Sequence, residues 1–589
     1  MKTLVCFKTV TDWDGVAESD WEQFSPGMDL SYAKTLINCF DESALELGLR
    51  LKSQAGGPAE CRAVTLAGSL PASYAESLYA AGYDEVIVLG SRQREFAQRY
   101  TADTIAAYAA GKGFDVIIAG ERAGMADTGA VPFLIAQKLS VPVLSQVEDL
   151  TFSDGVITAV VQSEEGTRSI ALRTPWGGAF GGAGTSGGGG AFGGAGTFGG
   201  AGTFGGAGTS GVMLVIGNSP AVLRAVNLRA RLKAREKSIK FIPVSLDEKS
   251  KECPGPEPPA GPERPVFTRP KNGRVCAFLE EEELYTRIFN EQSKAGRPPN
   301  VPAPPDIPAS PNVPAPEERV KISKRVSVRW IDPMPYSCYL PESAITSFIA
   351  EWESCPPNCT VLPDTPAGRE LAARLSAKAD CSLFTGAVEM ELDAGMALLK
   401  KRVCSSSLIW TQLAVYPLVV TFSGKIPEGV PLTRMAAGTE KPAWILDERL
   451  ASVSAPLEKD LRNMKRVIVC GIGVKDKKNC GMARQLARIL KAGFGLTRPA
   501  ALAGFGGTGE IVGQSGISIT PDTLITFGVS GASAFMAGAE SAGRIISVNT
   551  DGKALIFKHS DFGLIADAPT VIEQLLRRTG KGQNLRPKT

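Results

Sequence analysis

The chain has 589 residues, 43% of them hydrophobic and 21% charged, with 64 basic against 61 acidic side chains and a net charge of +3. That length exceeds one core and predicts about three or four domains, while near-neutral charge gives no footing for nucleic-acid or bulk membrane binding. The single histidine, His559, has no serine elbow or cysteine partner pattern beside it and cannot build a multi-His metal site, which argues against hydrolases and metalloenzymes.

Met1 leads directly into the strand-like "LVCFKTV", without a basic segment or cleavage site, and no apolar run reaches the roughly 18 residues of a membrane span. The expectation is a cytoplasmic protein with no membrane insertion. Twelve cysteines are scattered without repeating spacing. Cys355/Cys359 and Cys470/Cys480 lack the two-residue gap of zinc or redox motifs, so reduced structural thiols are expected.

The chain then alternates strands and helices. "TLVCFKTV", "CRAVTLAGS", "EVIVLGS" and "FDVIIAG" read as strands. "DESALELGLRLKS", "PASYAESLYAAG" and "TADTIAAYAAGKG" carry apolar residues at helical spacing. Such alternation predicts an α/β fold with doubly wound parallel sheets and ligands at the C-terminal strand ends. A repeat of G-G-A-G-T-[FS] fills 177–211 and is expected to be a flexible insertion inside one domain, because "VMLVIGNSP" resumes a strand after it. Proline-rich stretches between 246 and 319 resemble polyproline spacers, a PxxP ligand being the alternative; "GRVCAFLEEEELYTRIFNEQ" within them can hold a strand and a short helix. Mixed signals over 320–455 predict a small α/β domain. A last domain, 456–589, opens with "KRVIVCGIGV" and "CGMARQLARILKAGF", then alternates through "TLITFGVS", "ASAFMAGAESAG", "RIISVNT" and "APTVIEQLLRR".

Within that domain "GFGGTGEIVGQSG" matches G-x-G-x-x-G at Gly504, Gly506 and Gly509. A Rossmann loop needs a strand before the glycines and a helix after them. "EIVGQSGISITPD" is not a helix, and "LITFGVS" ends without the acidic residue that holds a ribose. Read as a set, "LTRP", "VGQSG", "VSGAS" and "VNTD" instead offer small residues, hydroxyls and backbone N–H groups at several strand ends, able to wrap a dinucleotide.

These residues resemble a family. "LTRPA…GEIVGQSGISITPDTLITFGVSGASAFMAG…ISVNTD…IFKHSDFGLIAD" is similar to the FAD-binding domain of the electron-transfer flavoprotein α subunit. "NCFDESALELGLRLK", "AGERAGMADTGAVPFLIAQKLSVP" and "NLRARLKAREK" resemble the β subunit's N-P-[FY]-[DE] helix start, its G-K-Q-A-x-D-x-D-T-G-Q-V-G-P nucleotide loop and its partner-recruiting segment. The chain resembles a β–α gene fusion: a β-like domain over 1–245, a linker over 246–319, an α N-terminal-like domain over 320–455 and the FAD-binding domain over 456–589.

The resemblance implies a cofactor site residue by residue. Thr497 and Arg498 match the segment whose guanidinium lies near the isoalloxazine, where a cation favours the reduced flavin. Val512, Gly513, Gln514 and Ser515 match the flavin or ribityl loop. Ser530, Gly531, Ala532, Ser533 and Ala534 match the pyrophosphate segment, and Asn549 and Asp567 the adenosine end. Phe535 stands where the family usually has histidine, and cannot donate a hydrogen bond. Ile472 replaces an arginine that reaches the phosphates, a loss that Lys475 can offset. In the β-like domain, AMP or a second FAD (the electron-bifurcating variant) is implied at Cys6, Asn38, Asp41, Ala67, Gly120, Asp127, Thr128, Gly129 and Val131, with Met125 replacing a frequent aspartate. Asn38 or Asp41 can cap the following helix, and "ADTGAV" can offer N–H groups to a phosphate. Leu228 matches the leucine inserted into an acyl-CoA dehydrogenase, the alternative being a helix packed on its own domain.

The implied role is an electron carrier, without a substrate of its own, in processes such as fatty acid β-oxidation. It links dehydrogenases to a quinone oxidoreductase or other acceptor. A nicotinamide-dependent oxidoreductase and a degenerate nucleotide-binding or scaffold protein are the competing readings.

Overall fold

The computed structural model describes residues 1–24, 28–90, 98–122, 128–163, 166–172, 211–244, 266–268, 276–290, 320–332, 342–404, 408–423, 430–434, 442, 444–450, 461 and 464–579. The glycine repeat, Met125 and Asp127 lie outside the described residues.

Apolar β-branched runs such as "VIIAG" and "VMLVI", fully buried in place, build the middle of a ten-stranded sheet. Its order is Lys240–Pro243, Glu85–Gly90, Glu60–Ala67, Lys2–Cys6, Val116–Gly120, Val212–Ile216, Val143–Ser153, Val156–Ser163, Gly166–Leu172 and Ile445–Leu450. The first seven run parallel and the last three join antiparallel. Parallel strands of this kind are apolar throughout because helices cover both faces. Helices Cys39–Gln54 and Ala72–Ala81 bury Leu45, Leu47 and Leu78 on one face, and Gln98–Ala109 and Val131–Leu139 bury Ile105 and Phe133 on the other. Val212–Ile216 lies between Val116–Gly120 and Val143–Ser153, so the chain before and after the repeat builds one sheet.

A second, mixed sheet runs in the order Val266–Thr268, Leu408–Ala414, Ala397–Val403, Ser382–Leu392, Leu418–Phe422, Cys359–Pro363, Val328–Asp332 and Leu432–Arg434, with Val320–Ile322 pairing off Ser382–Leu392. Its core also takes Val16, Trp21 and Ala33 from the first part of the chain, with Trp13 and Phe24 against it.

The third sheet is wholly parallel: Ala277–Phe278, Phe562–Ile565, Arg544–Asn549, Thr523–Phe527, Arg466–Cys470 and Gly493–Leu496. All its C-terminal ends therefore open on one edge. Helices Lys477–Ile489 and Ala568–Arg578 cover one face.

Several placements differ from the sequence expectation. Val266–Thr268, from the proline-rich span, extends the second sheet; the strand and short helix expected in that span do form, as Ala277–Phe278 and Glu281–Asn290, and what differs is their attachment to the third domain, where Leu284, Tyr285 and Ile288 are buried in the core. Strand Ile445–Leu450 joins the first sheet as its last strand, pairing the outer side of Gly166–Leu172. The helix expected over "ASAFMAGAESAG" is only Ser533–Met536, and Gly538 packs directly on Gly513, where a Cβ would come within 2.6 Å of its Cα. Among the described residues no helix is long and apolar enough to cross a membrane.

The first and second domains meet through buried charge. Arg369 Nη2 donates to Glu121 Oε1 at 2.6 Å, with side-chain exposures of 5% and 6%. Asp364 accepts from Thr421 Oγ1 at 2.7 Å and Ser423 Oγ at 3.2 Å. Burial pushes its carboxyl up, but Arg369, Arg122, the Thr421 hydrogen bond and Lys401 outweigh this and hold it below the usual range. Removing one partner of a buried pair strands the other charge. Arg369→Met is expected to cost about 3–5 kcal/mol in urea unfolding, and adding Glu121→Gln to recover part of it.

Candidate functional site

The edge of the third sheet is assembled from glycines that let strand-end loops touch. Gly473 N donates to Gly528 O at 3.0 Å, and a Cβ at Gly473 would come within 2.7 Å of Gly528 Cα. The next loop is fixed by Thr497 N donating to Cys470 O at 2.9 Å, and helix Arg498–Leu502 follows with proline in its first turn. Val512 N donates to Leu496 O at 2.8 Å and Gln514 N to Ala534 O at 2.7 Å. Gly513 has φ +134, and a Cβ there would press within 2.8 Å of Ala534 O. Gly531, at φ +83, lies against the Ile556 backbone; Ile556 N donates to Ser530 O at 2.9 Å. Asn549 Nδ2 donates to Val529 O at 2.8 Å. Asp567 pairs with Lys475 Nζ and accepts from Thr570 Oγ1 at 3.0 Å; the Lys475 hydrogen bond leads in lowering its carboxyl pKa. Thr497, Arg498, Val512–Ser515, Ser530–Ala534, Asn549 and Asp567 thus lie along one continuous edge. Phe535 differs: its ring is buried with Val512, Val529 and Phe557 in the core. Ile472, half exposed, stands beside this edge.

The G-x-G-x-x-G match is no Rossmann loop. Gly504 follows the helix Arg498–Leu502, not a strand, and Thr508–Glu510 is a single turn. Glu510 fills the space next to Gly506 and pairs with Arg484.

Arg498 is the centre of the site. Its Nη2 reaches Cys39 O of the first domain at 3.3 Å, and its guanidinium carbon lies 5.8 Å from the Phe40 ring centroid. Its Nε is buried without a hydrogen-bond partner among the described residues. A guanidinium facing a seam with an unused buried donor is suited to meet an acceptor that the described residues do not supply. From the first domain, Arg122 Nη1 donates to Gln514 O at 2.9 Å and Asn218 Nδ2 donates to Ser515 O; Asp14 Oδ1, in the N-terminal segment packed on the second core, accepts from Ser533 N at 3.0 Å. Asn218 and Asp14 carry no sequence signal; Arg122 falls within the nucleotide-loop resemblance, as Gly-Glu-Arg at 120–122 where the pattern has Gly-Lys-Gln, but that resemblance gives no contact with the third domain.

In the first domain, Cys6, Ala67 and Gly120 end adjacent parallel strands. The expected cap is not formed. Asn38 makes no side-chain cap and instead donates Nδ2 to Arg122 O at 2.8 Å. Asp41 turns its carboxylate to Lys8 N at 2.9 Å and Gly120 N at 3.0 Å, because those strand-end donors are buried beside it. Burial pushes its carboxyl up to about 7 and, with Asp41 beside it, the Cys6 thiol to about 12. Thr128 and Gly129 precede helix Val131–Leu139; Gly129, at φ +60, rests on Arg369, where a Cβ would come within 2.7 Å of its Cδ. Helix Leu228–Ala234 packs on its own domain through buried Ala234, as the alternative expected, but Leu228 itself is 72% exposed, beside exposed Leu232.

Comparison with known proteins accounts for this edge. Residues 460–540 match the electron transfer flavoprotein FAD-binding domain, and 29–175 match the electron transfer flavoprotein domain. The electron transfer flavoprotein subunit alpha of Syntrophomonas wolfei is 30% identical over 245 residues, 39% of this chain and 76% of that protein. The chain belongs to the electron transfer flavoprotein family. The subunit alpha of Bacillus subtilis is 25% identical over 228 residues, 37% of this chain and 70% of that protein. Protein FixB of Salmonella typhimurium is 27% identical over 223 residues, 36% and 71% of the two chains. The third domain is thus the FAD-binding domain of an electron transfer flavoprotein, and the unpartnered donor of Arg498 fits such a cofactor.

Because the Asp41 carboxyl is raised from 3.8 to about 7, folding favours its protonated form. The stability it contributes is present below about pH 4 and lost as pH rises to about 7. Glu148, raised to about 7 by burial, runs the same way. Asp41→Asn is therefore expected to gain stability relative to the parent protein between about pH 4 and 7, and more so with Glu148→Gln, as followed by urea midpoints. A pH-independent difference would refute this assignment.

Proposed function

We propose that the chain is an electron transfer flavoprotein with β-like and α-like units fused in one polypeptide, carrying electrons without a substrate of its own. FAD, when bound, supplies the redox chemistry; the chain supplies position, charge and docking. The observation that carries this reading is Arg498, a cation with an unused buried donor where the loops of the FAD-binding domain meet the first domain.

In this reading the Arg498 guanidinium favours the electron-rich, reduced cofactor. Val512–Ser515 contact the flavin or ribityl region, Ser530–Ala534 the pyrophosphate, and Asn549 and Asp567 the adenosine end. Lys475, tied to Asp567, supplies a cation near the position that Ile472 leaves apolar. The first-domain edge at Cys6, Asn38, Asp41, Ala67, Gly120, Thr128, Gly129 and Val131 takes AMP or a second FAD. Leu228, exposed among Arg229, Arg231 and Lys233, docks an acyl-CoA dehydrogenase-type flavoenzyme, the basic ring steering a transient encounter. Electrons then pass to a quinone oxidoreductase or a similar acceptor.

Denaturing release and quantification of bound nucleotides tests the reading: FAD with AMP, or two FADs, is expected, and protein without flavin contradicts it. Arg498→Ala is expected to lower the flavin midpoint potential and weaken FAD binding about tenfold, read by redox titration and flavin fluorescence. Leu228→Glu is expected to slow reduction by the dehydrogenase about tenfold or more with flavin content unchanged. Unaltered reduction would remove Leu228 from the docking surface.

A further inference from the structure

Two consecutive carbonyls of the flavin-domain turn are held from another domain. Gln514 O accepts from Arg122 Nη1 at 2.9 Å, and Ser515 O accepts from Asn218 Nδ2. Both donors are rigidly mounted. Arg122 follows the buried strand Val116–Gly120; its own carbonyl accepts from Asn38 Nδ2 at 2.8 Å, and the preceding Glu121 N donates to Ile216 O at 2.9 Å. Asn218 follows strand Val212–Ile216, and Gly217 N donates to Val147 O at 3.0 Å. The approach of Asn218 is shaped by a bulge: the pairing of Val212–Ile216 with Val143–Ser153 shifts register around Gln146, which has φ +56. A Cβ on Gly217 would stand 3.2 Å from Gln146 Cα, so glycine lets the two strands approach closely there. Bulges re-aim chain segments next to functional sites, and left-handed non-glycine residues persist only where surroundings enforce them.

A trans peptide plane points its carbonyl and the following N–H in opposite directions. Holding Gln514 O toward Arg122 therefore turns the Ser515 N–H away from the first domain. Holding Ser515 O toward Asn218 fixes the next plane, whose Gly516 N–H donates to Gly513 O at 3.0 Å. With Gln514 N bonded to Ala534 O at 2.7 Å, the turn is left a single arrangement of its peptide planes.

We propose that Arg122 and Asn218 are positioning residues of the FAD site, acting from the first domain through the peptide planes of Gln514 and Ser515. The inference rests on the reading that this turn contacts FAD. The guanidinium suits the role because it donates with full charge in a fixed plane, and a charge-assisted hydrogen bond exceeds a neutral one.

The experiment uses the full chain and two readouts. In the Arg122→Met/Asn218→Ala variant, amide hydrogen exchange over 512–516, measured without FAD, is expected to quicken about tenfold, and the FAD dissociation constant by flavin fluorescence to rise about tenfold. Arg122→Lys, which keeps a charged donor, is expected to retain most of both. Unchanged exchange over 512–516, or an unchanged FAD dissociation constant, overturns the proposal; so does a variant whose only change is a lower Tm. Failure of the parent protein to bind FAD overturns the functional reading instead, while the exchange readout still decides whether the first domain holds the turn.

Discussion

The architecture depends on a two-residue step, Glu121–Arg122, at the end of the buried strand Val116–Gly120. Glu121 pairs with Arg369 of the second domain, and Arg122 reaches Gln514 of the third. Asn38 and Asp41, at the start of helix Cys39–Gln54, hold the same step through Arg122 O and Gly120 N. One strand end thus fixes the relation of three cores. The connection is polar, and a buried ion pair contributes little net stability because desolvation opposes its Coulomb energy. What it fixes is geometry: a misplaced domain would separate Glu121 from Arg369 and strand its buried carboxylate without a partner.

That geometry matters because the third domain does not enclose its edge alone. Its parallel strands bring Thr497, Val512, Ser530 and Asn549 to one side, the expected location of a ligand in an open α/β sheet. The facing wall is the first domain, which supplies Phe40, Cys39 O, Arg122 and Asn218, joined by Asp14 from the N-terminal segment packed on the second core. Arg498 sits where the two meet. Leu228 is exposed on helix Leu228–Ala234, which packs on the first domain through Ala234, so the proposed docking residue and the proposed cofactor loops lie on different elements.

Much of this was legible from sequence because local rules write it locally. Strands such as "VIIAG" and "VMLVI" and the helix Ala568–Arg578 follow from apolar runs and periodicity, and the false Rossmann match was visible in the lack of a helix after Gly509. Long-range contacts have no such local pattern. Ile445–Leu450 pairs with a strand more than 270 residues earlier, Asn38 spends its amide on Arg122 rather than on its own helix, and Ser533–Met536 stops because Gly538 must meet Gly513. In each case a partner distant in sequence overrides the local preference.

In the proposed reading, several strand-end loops, and not the Gly504 loop, form the FAD site against the first domain. Amide hydrogen exchange of the flavin-stripped protein, with and without added FAD, tests it most directly. Joint protection of 497–498, 512–516 and 530–534 is expected, with 504–509 unaffected. Protection confined to 504–509, or none in the three strand-end segments, would contradict it.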